Sequence, residues 1–222
     1  MSEMPDTAMV LSAGLGTRMR PLTDDRPKPL VPVAGKPLVD YALDRFASAG
    51  VPRAVVNIHY FADMMEAHLS QRVTPEILIS DERDLLLETG GGLKKASALF
   101  SGESIFCTNT DAILIDDPGF EACATLSEAW RPEDMDALLL LAPIERASGY
   151  EGRGDFNQDK DGRIAFRQAN AAPYVFTGLQ VLKTALVEIG PDGPFSTRVL
   201  WQHALERGRL FGAVHHGDWM HV

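Results

Sequence analysis

Apolar runs alternate with amphipathic segments along roughly the first 140 residues of the chain. The apolar runs have the length of buried strands, and the segments between them carry apolar residues at the three- and four-residue spacing of a helix. The predicted strands span residues 8–12, 54–58, 76–80, 104–108 and 137–142. The predicted helices span residues 38–49, 63–70, 93–100 and 120–130. This alternation predicts an α/β fold with a Rossmann-like, mostly parallel sheet that is flanked by helices.

The pattern changes after Pro143. The turn sequence Asp159-Lys160-Asp161-Gly162 separates two short extended segments, and a long apolar run follows at residues 174–182. Two strands that flank such a turn form a hairpin. We therefore expect a small antiparallel addition beside the parallel sheet, followed by a helix at residues 199–207 and a strand at residues 210–214.

Composition limits the classes of function. With 222 residues, of which 45% are hydrophobic, the chain can bury the core of a single domain. Its formal net charge of -10 argues against nucleic acid and acidic membranes as partners. The first residues lack a secretory pattern, so we expect a cytoplasmic protein, and a monomer because no long apolar helix face stands out. Cys107 and Cys123 lack metal-site spacing and are expected to be packing residues.

A two-glycine loop, Gly14-Leu15-Gly16, follows the first predicted strand. Glycines allow backbone N–H groups to approach an anion closely. The kinase-type template fails because Thr17-Arg18 follows the second glycine, and the dinucleotide template fails because Met19 stands where a third glycine is needed. A strand-to-helix turn in which the glycines serve only backbone geometry remains the alternative.

The residues after this loop are locally basic. Five cations face only two acidic residues, Asp24 and Asp25, between positions 17 and 36; the cations are Arg18, Arg20, Arg26, Lys28 and Lys36. Such a positive stretch in an acidic chain favours a small anionic ligand over a long polyanion. The pattern therefore indicates a site for phosphate groups.

A second glycine cluster, Gly90-Gly91-Gly92, follows Glu88 and Thr89 at the predicted entry to a helix. We interpret it as a surface free of side chains against which a base or a sugar can lie. Glu88 and Thr89 would then read polar edges of that ligand. The alternative is a flexible turn in which Thr89 caps the helix.

Asp111 follows the predicted strand at residues 104–108. Ligands of parallel sheets bind beyond the carboxyl ends of the strands, where a carboxylate can hold a divalent metal ion. Magnesium takes one or two carboxylates together with phosphate oxygens and water. The alternative is that Asp111 only caps the following turn.

The segment Gly-Leu-Gly-Thr-Arg-Met-Arg-Pro-Leu-Thr, together with Arg-Pro-Lys-Pro-Leu-Val-Pro-Val-Ala-Gly-Lys-Pro-Leu, resembles the signature of sugar-1-phosphate nucleotidyltransferases. The Leu-Glu-Thr-Gly-Gly-Gly motif and Asp111 resemble later motifs of that family. Paired with Gly-Arg-Gly-Asp-Phe, they most resemble the bacterial uridylyltransferases of peptidoglycan recycling that act on N-acetylmuramic acid 1-phosphate. Mannose-1-phosphate guanylyltransferases are the nearest competing group, and a non-catalytic nucleotide-binding relative is an alternative of another class.

The resemblance implies transfer of a nucleotidyl group from a nucleoside triphosphate, UTP by this reading, to a sugar 1-phosphate. Arg18 and Lys28 would be the catalytic cations, and Mg²⁺ the cofactor, bound by Asp111. Residues 1–142 would bind the nucleotide and residues 143–222 the sugar, within one domain. The implied nucleotide-binding residues are Ala13, Gly14, Leu15, Gly16, Thr17, Arg18, Glu88, Thr89, Gly90, Gly91 and Asn109.

Sugar contacts are implied for Gly154, Asp155, Asn170, Thr177 and Gly178. For Asp155 the alternative is that it only pairs with Arg153. The chain has Arg167-Gln168-Ala169-Asn170 where many relatives have a Glu-Glu-Lys-Pro segment that grips the sugar and its phosphate.

A second departure concerns the metal site. His221 stands where the family usually has a metal-binding aspartate. We expect His221 either to bind the metal, in which case Mn²⁺ suits it better than Mg²⁺, or to contact phosphate. Otherwise Asp111 acts with only the nucleotide and water. The further alternative is that His221 is a surface-strand histidine with no role in the site.

Overall fold

A computed structural model describes residues 4–222 as fourteen strands and six α-helices in one chain order. The strands are β1 (Thr7–Leu11), β2 (Pro32–Val33), β3 (Lys36–Pro37), β4 (Arg53–Ile58), β5 (Glu76–Asp81), β6 (Ser104–Asn109), β7 (Ala112–Ile115), β8 (Ala137–Pro143), β9 (Ala147–Ser148), β10 (Phe156–Gln158), β11 (Ile164–Phe166), β12 (Tyr174–Lys183), β13 (Leu210–Val214) and β14 (Asp218–His221). The helices are α1 (Leu38–Ser48), α2 (Ala62–Leu69), α3 (Glu88–Ala96), α4 (Ala122–Ala129), α5 (Thr184–Glu188) and α6 (Arg198–Glu206).

A nine-stranded sheet forms the centre of the described residues. β5, β4, β1 and β6 are parallel neighbours, β12 runs antiparallel to both β6 and β8, and β13 is parallel to β8. The hairpin of β10 and β11 joins the sheet beside the start of β12. The predicted mostly parallel sheet with an antiparallel addition is confirmed, and the long strand of that addition lies inside the sheet.

Helices cover both faces of this sheet, as the alternating pattern predicts. Along β1, Val10 packs with Phe46 and Met65 on the face of α1, α2 and α4. Met9 and Leu11 point to the other face, where residues of α3, α5 and α6 pack. Successive side chains of a strand point to opposite faces, so one short apolar run supplies both cores.

The predicted helix at residues 93–100 is the largest error in secondary structure. α3 begins at Glu88 and already contains the three glycines that we expect to precede it. Each glycine lowers helix stability by about 1 kcal/mol relative to alanine, which is why the sequence pattern places the helix start later. Tertiary packing around residues 90–92, described below, overrides this propensity.

A three-stranded sheet of β7, β14 and β9 is absent from the sequence prediction. These strands have two to four residues each and are paired only through contacts distant in sequence. Their register places Val222 beside Asp111, because the amide of Val222 donates to the Asp111 carbonyl over 3.0 Å. This small sheet therefore brings the end of the chain to the edge of the main sheet where ligands are expected.

Both cysteines are buried and free, as predicted. Burial raises the pKa of each thiol to about 12, so neither forms a reactive thiolate near neutral pH. Within residues 4–222, none of the helices has the length and hydropathy required to cross a bilayer.

Candidate active site

A cleft of about 220 Å³ opens at the carboxyl ends of the parallel strands. It is bounded by the glycine loop after β1, the start of α3 and the end of β6. Its lining residues are Leu11, Ser12, Ala13, Gly14, Lys28, Pro29, Asn57, Leu86, Glu88, Thr89, Asn109, Thr110 and Asp111. The cleft thus unites the three motifs that the sequence singles out.

The glycine loop is held in place from behind. Gly16 has a φ of 63°, and a Cβ there would lie 2.9 Å from the Thr23 methyl carbon. The Thr23 hydroxyl also donates to the Gly16 carbonyl over 2.8 Å. Gly14, in contrast, is exposed and has no atom within 4 Å of its Cβ position, so a ligand can approach its backbone directly.

Leu15, Thr17 and Arg18 are exposed residues at this loop and do not line the cleft itself. Thr17–Met19 forms a single 3₁₀ turn, and Arg18 is its basic residue. The positive charge of Arg18 contributes to the lowered pKa of Lys28. These three exposed positions lie on the solvent side of the loop.

Lys28 is the cation inside the cleft. Its ammonium group donates to the Val222 carbonyl over 2.9 Å and lies 3.9 Å from Oδ2 of Asp111. Burial lowers the pKa of Lys28, the charge of Asp111 opposes this shift, and the charge of Arg18 adds to it. A half-buried ammonium between one cation and one carboxylate attracts further negative charge.

A buried polar network connects the glycine loop to the entry of α3, and sequence reasoning missed it. Asn57 accepts the amide N–H of Ser12 over 2.7 Å and donates to Oε1 of Glu82 over 2.7 Å. The Ser12 hydroxyl also donates to the Asn57 carbonyl, and Oε2 of Glu82 accepts the Leu87 amide over 3.3 Å. The signal was available: Asn57 is the one polar residue in an otherwise apolar strand run, and Glu82 directly follows β5.

Glu82 is fully buried, and burial raises the pKa of its carboxyl group, while hydrogen bonds from Asn57 and Leu87 oppose the shift. Its only hydrogen-bond donors in the part of the chain that the structure describes are these two groups. Loss of the carboxyl group would leave both donors buried without a partner.

The glycines of α3 serve packing against protein, which corrects our interpretation of them as a ligand surface. A Cβ on Gly90 would lie 2.3 Å from the Phe195 ring, and one on Gly91 would lie 2.5 Å from the Gly193 carbonyl oxygen. The amides of both glycines donate to the Phe195 carbonyl. Gly90 and Gly91 are buried and lie outside the cleft lining.

Gly92 is closed off by the polar network. A Cβ at this position would lie 2.8 Å from Oε1 of Glu82 and 2.9 Å from Nδ2 of Asn57. The glycines therefore allow α3 to approach the network and the loop around Phe195. Sequence alone cannot distinguish a glycine that faces a ligand from one that faces another segment of the chain.

Glu88 and Thr89 do line the cleft, as predicted. Glu88 has a φ of 58°, an uncommon value for a residue with a side chain, and it is exposed. The Thr89 hydroxyl accepts the Thr197 amide over 2.9 Å, so Thr89 orders the segment that leads into α6 and does not cap its own helix. Of the two side chains, Glu88 is the one free to contact a ligand.

Asn109, Thr110 and Asp111 lie where β6 ends. The Thr110 hydroxyl donates to the Leu11 carbonyl over 3.2 Å, which ties this turn to β1. Gly178 lies across from Asn109, and a Cβ on it would lie 3.3 Å from the Asn109 Cβ. Asn109 thus stands between the cleft and the strand that carries the predicted sugar contacts.

Those predicted sugar contacts are only partly brought together. Gly154 and Asp155 line a second depression of about 250 Å³, on which Asn170 and Gly178 do not border. Thr177 is buried, and its hydroxyl donates to the Leu140 carbonyl over 2.9 Å. The Thr177 side chain therefore holds the sheet together and is closed to a ligand.

Asp155 is bound by its own strand neighbours. Its Oδ2 accepts the Phe176 amide over 3.0 Å, and within the described chain it forms no ion pair with Arg153. The alternative reading of Asp155 as a partner of Arg153 is therefore wrong. Asn170 is exposed, and its carbonyl oxygen accepts a 3.4 Å hydrogen bond from Arg167.

His221 lies in β14, paired with Ala112, the residue after Asp111. Its ring lies 5.6 Å, centroid to centroid, from that of Trp219. No group of three or more His, Cys, Asp or Glu side chains able to hold a metal ion occurs among the described residues. A metal ion here would need most of its ligands from a bound nucleotide, which matches the preference of Mg²⁺ for one or two carboxylates.

Residues 7–165 match the model of a family described as "Nucleotidyl transferase". The chain belongs to this family, and its cleft is lined by the start of the glycine loop, the Lys28 cation and the Asp111 carboxylate.

The chain is also similar to relatives whose activities are named more specifically. The chain is 49% identical to an N-acetylmuramate alpha-1-phosphate uridylyltransferase from Caulobacter vibrioides, over 100% of the chain and 93% of the relative. It is 32% identical to a mannose-1-phosphate guanylyltransferase catalytic subunit beta from Drosophila pseudoobscura pseudoobscura, over 97% of the chain but 58% of that relative. The fold matches the solved inositol-1-phosphate CTP transferase from T. maritima, with a TM-score of 0.81, 17% identity and coverage of 100% of this chain and 91% of the other.

We predict that Glu82→Ala lowers the free energy of unfolding by about 2–5 kcal/mol, because two buried donors lose their acceptor. Glu82→Gln keeps an acceptor for Asn57 and should lose less than half as much. Urea unfolding of the two variants beside the wild type measures both effects.

The same carboxyl group predicts a pH dependence. Because the pKa of Glu82 is higher in the folded state than in the unfolded state, the folded protein binds the carboxyl proton more tightly. The stability that this proton contributes is therefore lost as pH rises from the ordinary pKa of 4.5 through the raised pKa. Glu82→Gln removes this slope, and its stability relative to wild type should therefore improve with rising pH. A difference that is constant with pH would contradict the assignment.

Proposed function

We propose that the protein transfers the uridylyl group of UTP to N-acetylmuramic acid 1-phosphate, forming a UDP-sugar and pyrophosphate. The observation that carries the reaction class is the meeting of Lys28 and Asp111 in the cleft beside the glycine loop, with Arg18 on the exposed turn that follows the loop. The choice of base and sugar is supported by the 49% identity to the relative with that named activity.

In this proposal the triphosphate lies along the exposed backbone of Gly14, with Ala13 beside it and with Leu15, Gly16, Thr17 and Arg18 on its solvent side. The base lies between the loop and the entry of α3, where Asn57 holds the backbone of Ser12 and Glu88 is free to contact a polar edge. Gly90 and Gly91 contribute by allowing α3 to pack closely, and Thr89 by ordering the approach to α6. Asn109 contacts the ribose or the sugar.

The sugar phosphate oxygen attacks the α-phosphorus of the nucleotide, and the bond to the β-phosphate oxygen breaks. Pyrophosphate leaves with the electron pair of that bond. Lys28 neutralises charge that accumulates on the transferring phosphate, and Arg18 does so at the leaving pyrophosphate. A phosphate monoester is already an anion at neutral pH, so the site needs no strong base, and positioning supplies the remaining catalysis.

A divalent cation completes the proposed chemistry. Asp111 is suited to hold Mg²⁺ together with phosphate oxygens of the nucleotide. The bound metal ion would supply a positive charge opposite the triphosphate. His221, in the strand beside Asp111, is the second proposed ligand, and its nitrogen favours Mn²⁺ over Mg²⁺.

The sugar would extend from this centre toward Gly178 and the depression around Gly154 and Asp155. Residues 1–142 then supply the nucleotide side and residues 143–222 the sugar side, although β12 joins both parts in one sheet. A monomeric state and a cytoplasmic location stay predictions from the sequence.

The direct test mixes the protein with Mg²⁺, UTP and N-acetylmuramic acid 1-phosphate and measures pyrophosphate release. We expect turnover with this pair to exceed that with GTP and mannose 1-phosphate by at least about tenfold, which corresponds to about 1.4 kcal/mol of transition-state discrimination. Preference for the guanylyl pair would favour the competing activity. Nucleotide binding without pyrophosphate from any pair would favour a non-catalytic relative.

We predict that Lys28→Ala and Arg18→Ala each lower kcat by about 10²–10³, because each removes a positive charge aimed at the reacting phosphates. Arg26→Ala is the matched control, since Asp25 already binds the Arg26 guanidinium through two hydrogen bonds. The measurement is steady-state pyrophosphate release, with circular dichroism to verify the fold. Normal turnover in both variants would remove these cations from the mechanism.

His221→Asp should lower the Mg²⁺ concentration for half-maximal turnover by roughly tenfold, the effect of about 1.4 kcal/mol. The reason is that Mg²⁺ prefers oxygen ligands. Titration with Mg²⁺ and separately with Mn²⁺ measures this change, and the advantage of the variant should shrink with Mn²⁺. Identical titrations for variant and wild type would place His221 away from the ion.

A further inference from the structure

The second depression has an aromatic floor and a basic rim. Phe156, Phe166, Phe176 and Trp201 form the floor, with ring centroids 4.8 to 5.9 Å apart in the contacting pairs. Arg167 and Arg198 form the rim, and we call this feature the Arg167–Arg198 depression. Such a combination of flat apolar surface and fixed cations suits an organic anion.

Both arginines are available to a ligand. The Arg198 guanidinium lies over the Phe166 ring at 4.2 Å from its centroid, and the Arg167 guanidinium donates to the Asn170 carbonyl over 3.4 Å. In the part of the chain that the structure describes, neither guanidinium forms a salt bridge. The chain has a net charge of -10, so two neighbouring arginines without acidic partners are a local exception.

The carboxylate that borders this depression is already engaged. Asp155 accepts the Phe176 amide through Oδ2, and this bond fixes the depression to β12. Stacking on Phe166 in turn orients the Arg198 guanidinium, since its planar group packs on the ring face. The rim therefore presents oriented donors to a partner that arrives from solution.

β12 connects this depression to the main cleft. Phe176 lines the depression, and Gly178, two residues later, contacts Asn109, which lines the cleft. Two strand residues span at most about 7 Å, and the bulge at this point of β12 makes the span shorter. One substrate of the size of a substituted sugar phosphate can therefore reach both places.

We infer that the Arg167–Arg198 depression binds a carboxylate carried by a substituent of the sugar. This inference rests on the proposed function, because N-acetylmuramic acid 1-phosphate bears two anionic groups, the phosphate and the lactyl carboxylate. The sugar phosphate must stand at the reacting centre, beside the two cations, Lys28 and Arg18, that act on the nucleotide phosphates. The second anion then lies at the far end of the sugar, where the guanidinium groups of Arg167 and Arg198 can pair with it.

The aromatic floor supports the same assignment. The lactyl group joins an apolar methyl group to its carboxylate, and the floor can cover the methyl group while the rim binds the oxygens. A sugar phosphate without the lactyl group would leave both arginines hydrated. Its binding would then lack only the contribution of these two side chains. The depression is therefore a determinant of specificity between otherwise similar sugar phosphates.

The experiment compares N-acetylmuramic acid 1-phosphate with N-acetylglucosamine 1-phosphate, which lacks the lactyl group, in the wild type and in Arg198→Ala and Arg167→Ala. We expect each substitution to lower kcat/KM for the muramic substrate by about 10–100-fold, mainly through KM, because a charge-assisted hydrogen-bond pair is lost. kcat/KM for the glucosamine substrate should stay within about twofold, the change usual for surface sites. Arg198→Lys should recover only part of the loss, because lysine cannot bind both oxygens in one plane.

Arg163→Ala is the matched control, because Arg163 is exposed near the same hairpin but lies 5.1 Å over the Phe211 ring, outside the depression. It should leave both substrates unaffected. Calorimetric binding of each sugar phosphate, with a non-hydrolysable α,β-methylene analogue of UTP present, repeats the comparison without turnover.

The assay distinguishes failure of the proposed function from failure of the carboxylate assignment. An inactive wild type would contradict the proposed function. An active wild type whose arginine variants lose both substrates equally, or lose neither, would overturn the carboxylate assignment alone. Loss confined to the muramic substrate supports it.

Discussion

The buried hydrogen bonds among Ser12, Asn57, Glu82 and Leu87 are the constraint on which the active-site cleft depends. They join the two loops that form opposite walls of the cleft, and these loops are separated by more than seventy positions in the sequence. A buried carboxyl group that forms no ion pair is unfavourable, so it is tolerated only where its oxygens accept hydrogen bonds. Here they fix the backbone of Ser12 at the start of the glycine loop and that of Leu87 at the start of α3. Helix α3 can approach this network only because residue 92 is glycine.

The charged side chains of the cleft differ from those of the surface in their burial and their pairing. Many acidic and basic side chains elsewhere form exposed pairs, such as Arg26 with Asp25 and Arg131 with Asp134, which contribute little to stability. Lys28 is instead half-buried, tied to the carbonyl of Val222 and near a single carboxylate. Burial lowers the pKa of Lys28, and the nearby carboxylate of Asp111 opposes this shift. The small sheet of β7, β14 and β9 is what brings Val222 to this position.

One strand joins the two halves of the main sheet. β12 pairs with β6 and with β8, so the antiparallel addition lies within the sheet. Its bulge between Phe176 and Gln180 contains Thr177 and Gly178; both are buried, Thr177 is bonded to Leu140, and Gly178 packs beside Asn109. Phe176 borders the arginine-rimmed depression. β12 thus links the arginine-rimmed depression to the residue that packs beside Asn109 in the cleft.

The sequence by itself determined the α/β class, most strand positions to within one or two residues, and the cluster of Gly14, Lys28, Glu88 and Asp111, because periodicity and short motifs are local properties. Only the tertiary structure decided the role of Gly90, Gly91 and Gly92. The space that their side chains would occupy is taken by Phe195, the carbonyl of Gly193 and the polar network. The tertiary structure alone revealed that the Thr177 hydroxyl is consumed by Leu140 and that Glu82 joins the two loops. These roles depend on contacts between residues distant in the chain, and no local pattern records which surface a glycine, a threonine or a buried carboxyl group will meet.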